Sequence, residues 1–120
     1  MTLTISVHQR AASSDELGPN LVTETGAELA GWEVWRSSVY GAAAVGRRGA
    51  RFLPRLASAD LVVEGDELFA FQKECQALLS DVGSLALELQ VDVEALRFRL
   101  SNIARAIDRA LSIGGVVWIS

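Results

Sequence analysis

The stretch DVEALRFRLSNIARAIDRALSIGGVVWIS, residues 92–120, decides the fold. Asp92, with Glu94 two residues on, marks a helix start, because a carboxylate there meets the free amide N–H groups of the first turn. Val93, Leu96, Leu100, Ile103, Ile107 and Ala110 then recur at three- and four-residue steps. That spacing is the buried stripe of an amphipathic helix, ending near residue 113. Gly114 suits the left-handed turn that terminates a helix. Val116–Ile119 follows as an unbroken apolar run, the pattern of a strand covered on both faces.

The same logic extends upstream. Residues 66–90 carry Asp66 as a cap and Leu68, Phe71, Cys75, Leu78 and Val82 at helical steps; Gly83 interrupts, and Leu85, Ala86 and Leu89 resume. Each helix holds about three heptads, which suits an intramolecular hairpin better than a coiled-coil dimer. Leu61, Val62 and Val63, between Ala57-Ser58-Ala59 and Gly65-Asp66, predict a buried strand over residues 60–64. Residues 2–8 alternate, with Leu3, Ile5 and Val7 facing one way and Thr2, Thr4, Ser6 and His8 the other, the period of a half-buried strand. Residues 9–25 carry turn chemistry and predict a long loop of the kind that moves or binds.

Residues 27–40 are ambiguous, and within them we expect a strand over residues 31–39. Leu29, Trp32, Trp35 (or Arg36) and Val39 sit at helical spacing, yet Trp32 and Val34 alternate with Glu33 and Trp35. The β-branched and aromatic content favours a strand. Residues 42–57 predict one or two short helices, loosened at Gly49 and constrained before Pro54. The whole predicts one globular domain, 1–120, of the α+β class: a small mixed sheet with a C-terminal helical hairpin packed on it.

Composition bounds the function. Half of the 120 residues are hydrophobic and 22% are charged, as in an ordinary globular protein. Eleven basic residues, ten Arg and Lys73, face 15 acidic ones; the formal charge of −4 comes from residues 61–120, with five basic against nine acidic. A net acidic chain repels nucleic-acid phosphate and suits a basic partner surface. The single Cys75 allows no internal disulfide, which fits a reducing compartment. The N-terminus lacks a basic segment followed by an apolar core, and no apolar stretch approaches the roughly 20 residues that span a bilayer. These features predict a cytoplasmic protein without membrane association.

Motifs point away from catalysis. Gly41-Ala-Ala-Ala-Val-Gly46-Arg47-Arg48 resembles the opening of a phosphate-binding loop, but Arg47 stands where the Lys should be and Arg48 where the Mg²⁺-binding hydroxyl should be. Neither preserves the chemistry, and a small-residue helix packed on the sheet is the simpler reading. Arg47, Arg51 and Arg55 would share one helix face beside Phe52, a face that suits phosphate or pairs with nearby acids. Arg97, Arg99, Arg105 and Arg109 lie on the last helix, with Asp92 and Asp108 near enough for pairing. His8 is the only histidine and no ligand spacing surrounds it, so we expect no metal and no cofactor. Cys75 falls in an apolar stripe, as a buried structural thiol does. We therefore expect no enzyme and name no catalytic residue.

Trp32, Trp35 and Tyr40 fall within nine residues, beside Glu28, Glu33 and Arg36. Large amphipathic side chains with charged neighbours are what interface hot spots use. The competing reading makes both tryptophans part of the sheet's core; in a strand they would point to opposite faces. Glu64, Asp66 and Glu67 cluster at the strand–helix turn, where they either cap the helix or form a second acidic patch.

At ARFLPRLASADLVVEGDEL (50–68) and EALRFRLSNIARAIDRALSIGGVVW (94–118) the chain resembles small bacterial cytosolic proteins, some of them encoded beside polymorphic or contact-dependent toxins as immunity proteins. The resemblance spans roughly residues 31–119 and implies neutralisation of a cognate toxin by tight binding, with no catalytic residues to carry over. The expected role is thus a protein-binding module that occludes a basic toxin site, using Glu28, Trp32, Glu33, Trp35 and Tyr40, with Glu64, Asp66 and Glu67 as a second patch. The alternatives are a structural subunit, including a homodimer, and a small phosphate-ligand-binding domain built on the Arg cluster.

Overall fold

The computed structural model describes residues 2–9, 18–22 and 24–120; most of the turn-rich stretch read above as a loop lies outside the described residues. Four strands, β1 (Thr2–His8), β2 (Leu29–Trp32), β3 (Leu61–Glu64) and β4 (Val116–Ile119), form one sheet in the order β2-β1-β4-β3. Every pairing is antiparallel, so the class is α+β as expected but the sheet is antiparallel rather than mixed. Helices α2 (Glu67–Ser80), α3 (Val82–Leu89) and α4 (Val93–Ile113) cover one face, with a short α1 (Ala43–Arg47) packed against α3.

The C-terminal unit is built as its local signals require. The Asp92 side chain accepts a hydrogen bond from the Ala95 N–H at 2.8 Å, and Gly114 closes α4 at φ 62°. Leu96, Leu100, Ile103, Ile107 and Ala110 are all buried against the sheet and α2. The helix read over residues 66–90 is two: α2 ends at Ser80 and, past Asp81, α3 begins at Val82, just before the Gly83 that breaks the apolar period.

Of the strand expected over residues 31–39, only Gly31 and Trp32 lie in one. β2 stops at Trp32, and a π-helical turn occupies Arg36–Tyr40. Gly31 explains the stop. Its φ of +140° lies outside the range of other residues, and a Cβ there would sit 2.7 Å from Cε3 of Trp35. The chain turns tightly enough to lay the Trp35 ring on its own backbone. A bulge at Leu3/Thr4 further shortens the β1–β2 pairing. The 42–57 segment does hold two short helical pieces, α1 and a 3₁₀ turn over Leu53–Ala57, separated by Gly49 at φ 90°. The small residues of α1 pack mainly on α3 rather than on the sheet.

The Glu74 carboxylate accepts from the backbone N–H groups of Arg51 (2.5 Å), Phe52 (2.9 Å) and Leu53 (2.9 Å), tying this connection to α2. Leu3, Ile5, Val7, Leu61, Val63, Val117 and Ile119 line the inner sheet face and join the helices in one core. Among the described residues no helix is long and apolar enough to cross a membrane.

Candidate functional site

Helices cover one face of the sheet, and the period of two puts Thr2, Thr4, Ser6, His8, Val62, Glu64, Val116 and Trp118 on the other. Register assembles them into rows: Ser6, Trp118 and Val62 lie side by side across β1, β4 and β3, and His8, Val116 and Glu64 form the next row. Trp118 is 37% exposed and Val62 48% exposed, on a floor of small hydroxyl side chains. Val116, on the same face, is buried. The His8 ring stands 6.1 Å from Trp118, held between the Gly18 carbonyl (Nδ1, 2.7 Å) and Ser6 Oγ (Nε2, 2.8 Å). The strand read as covered on both faces is thus open at its tryptophan. Trp118 is the residue that sequence reasoning missed. Its only signal was an aromatic at the alternate position of a strand in a chain with few helices to go round.

The expected site residues divide. Glu28, Trp32 and Glu33 lie at edge strand β2 or the turn beyond it; Glu64, Asp66 and Glu67 lie at the end of edge strand β3 and the start of α2. These are opposite edges of a four-stranded sheet, about 14 Å apart by strand spacing. The two patches are separate.

Trp35 and Tyr40 belong to the core, at 5% and 1% exposure, and are not presented to a partner. The Trp35 ring meets Tyr40 edge-on at 6.0 Å, and the Tyr40 hydroxyl donates to the Ala30 carbonyl. Burial pushes the Tyr40 phenol far up from its ordinary value.

Trp32 stays 42% exposed, but its surroundings are cationic: the Arg99 guanidinium lies 4.0 Å from its ring centroid and 5.6 Å from that of Phe98. Glu33 is drawn away to Arg36 at 2.5 Å. Arg36 also reaches Asp60 at 2.7 Å, and these two carboxylates, Asp60 foremost, hold its pKa above the ordinary value. Asp66 and Glu67 are exposed; Glu67 stands 4.0 Å from Arg55.

The Arg cluster of 47–55 forms no helix face. Arg47 pairs with Glu88, and Arg48 with Asp81 (2.7 Å) and Glu88 (3.3 Å). Arg51 lies in the connection, and Arg55 covers the Phe52 ring at 4.8 Å. On α4, Asp92 serves as the cap and Asp108 accepts from Gln72 at 2.6 Å, so neither pairs with the helix arginines. Arg97 bonds Glu94, and Arg109 bonds Glu24 at 2.9 Å.

Cys75 is fully buried, and desolvation, with Glu74 nearby, pushes its thiol far up; a thiol so held is not a nucleophile at neutral pH. Among the described residues no three His, Cys, Asp or Glu side chains converge on a metal position. No family model, curated protein or solved structure matches the chain.

Proposed function

We propose that the protein is a non-enzymatic protein-binding module of the immunity type, laying the outer face of its sheet over a basic toxin with Trp118 seated in the partner. One observation carries the reading: a tryptophan 37% exposed at the centre of an uncovered sheet face, beside Val62 at 48%. Such an aromatic, with small side chains around it, is the anchor-and-rim arrangement of a binding hot spot. Asp66 and Glu67 at the adjoining edge, with the net charge of −4, steer a basic partner and raise its association rate. The one thiol and the one phenol, Cys75 and Tyr40, are sealed in the core.

The test is affinity capture from native lysate with the wild type and Trp118→Ala in parallel. The reading expects one basic, stoichiometric protein, toxic when expressed alone and silenced by co-expression, which the variant fails to retain. A homo-oligomer by light scattering, dispersed by Trp118→Ala and lacking any second protein, would assign the face to another copy of the chain and overturn the immunity reading.

A further inference from the structure

A cleft of about 350 Å³ lies between residues 24–27 and α4, away from Trp118, and is lined by Phe98, Asn102, Arg105, Ala106, Arg109, Val22 and the turn itself. Asn102, 2% exposed, builds it. Both amide hydrogens are committed, to the Gly26 carbonyl at 3.0 Å and the Leu29 carbonyl at 2.9 Å, which fastens the turn to the helix. Its Oδ1 accepts from Arg105 Nη2 at 2.5 Å and so fixes the guanidinium at the rim.

Gly26, at φ +85°, leaves room for the Phe98 ring, which lies 3.8 Å from where a Cβ would be. The far end is closed by Arg109, bonded to Glu24 and to the Leu21 carbonyl. That bond foremost, with the nearby Arg105 charge adding to it, holds the Glu24 carboxyl below the usual carboxylate range, and Arg109 is its ion-pair partner. Among the described residues Arg105 has no carboxylate within ion-pair range. Among the described residues its remaining donors have no hydrogen-bond partner, in a cleft whose other walls are Phe98, Val22, Thr25, Ala27, Ala106 and the Glu24 carboxylate held by Arg109.

We propose that this cleft binds an organic carboxylate on an apolar or aromatic body, the acid on Arg105 and the body against Phe98. A guanidinium fork matches a carboxylate in two parallel hydrogen bonds, and Arg105 and Arg109 against the one Glu24 carboxylate leave a net single positive charge that suits a monoanion. The volume is at the small end of ligand sites, large enough for one ring and its acid. The acid is either a free small molecule or the C-terminal residue of a peptide; both present the same chemistry.

The probe is phenylacetate, titrated into the full chain and followed through the backbone amide resonances of residues 24–27 and 98–109. We expect saturable shifts with a Kd on the order of 1 mM. Phenethylamine, the same ring carrying a cation, should leave them unmoved. Arg105→Gln should weaken phenylacetate about tenfold or more. Phe98→Ala, at a half-exposed position that the core does not need, gives a second loss should the first variant disturb α4. N-Acetylphenylalanine separates the sources: tighter binding than phenylacetate assigns the site to a chain terminus, weaker binding to a free acid. Equal shifts with phenethylamine, an unchanged affinity in Arg105→Gln, or no saturation by about 10 mM would overturn the proposal.

Discussion

Trp32 and Trp35 form an edge-to-face pair with ring centroids 5.0 Å apart, yet the two rings do different work. Trp35 is enclosed by Tyr40 and the Gly31 backbone at 5% exposure, whereas Trp32 stacks under Arg99 and remains open to water. Truncating an enclosed tryptophan costs about 3–5 kcal/mol, and losing an exposed cation–π stack about 1 kcal/mol. Urea unfolding should rank Trp35→Ala far below Trp32→Ala; equal midpoints would remove Trp35 from the core. A spacing of three residues left both rings undecided in the sequence, since it puts them on one face of a helix but on opposite faces of a strand. The deciding feature is Gly31, whose φ of +140° lets the chain turn back on itself. A glycine's dihedral is not written in its neighbours.

Between α3 and α4 the chain turns at Gln90, a non-glycine residue at φ 59°, ψ 42°. The left-handed region crowds a Cβ, so Gln90→Gly should stabilise the protein by about 0.5–1 kcal/mol, after the extra unfolded-state entropy of glycine is deducted. A higher urea midpoint checks this, and an unchanged or lower one would show that the Gln90 side chain contributes more than the strain it carries. The α4 element was legible end to end because its signals are local: Asp92, the apolar stripe, Gly114. The β1 alternation was legible for the same reason. Strand direction and order were not, since pairing joins residues a hundred positions apart, such as Ile5 and Ile119. The Arg47–Arg55 face failed because Gly49 divides the segment before a helix can carry all three cations round to one side.

The whole molecule places its one tyrosine and its one cysteine in the core, and this ties stability to pH. Unfolded, the thiol and the phenol ionise near 9.0 and 10.0; burial raises both in the folded chain. Above those values the unfolded state holds fewer protons, so the contribution of these two groups is complete below about pH 9 and falls as pH rises. The slope should be about 1.4 kcal/mol per pH unit from Cys75, and about twice that once Tyr40 joins. Cys75→Ala should flatten the first part of the decline in urea midpoints above about pH 9; parallel declines would mean that thiol burial is not the cause.

Placement on the inner or outer face also bears on the proposed function. The exposure of Trp118 depends on how many elements cover the second face of the sheet, which no local pattern encodes, and the apolar run Val116–Ile119 concealed it. The most direct measurement is the calorimetric affinity of the captured partner for wild type, Trp118→Ala and Trp32→Ala. We predict a Kd raised about thirtyfold or more by Trp118→Ala with melting temperature unchanged, and an unaltered Kd for Trp32→Ala. Undiminished affinity in Trp118→Ala, or a loss confined to Trp32→Ala, would contradict the outer sheet face as the binding surface.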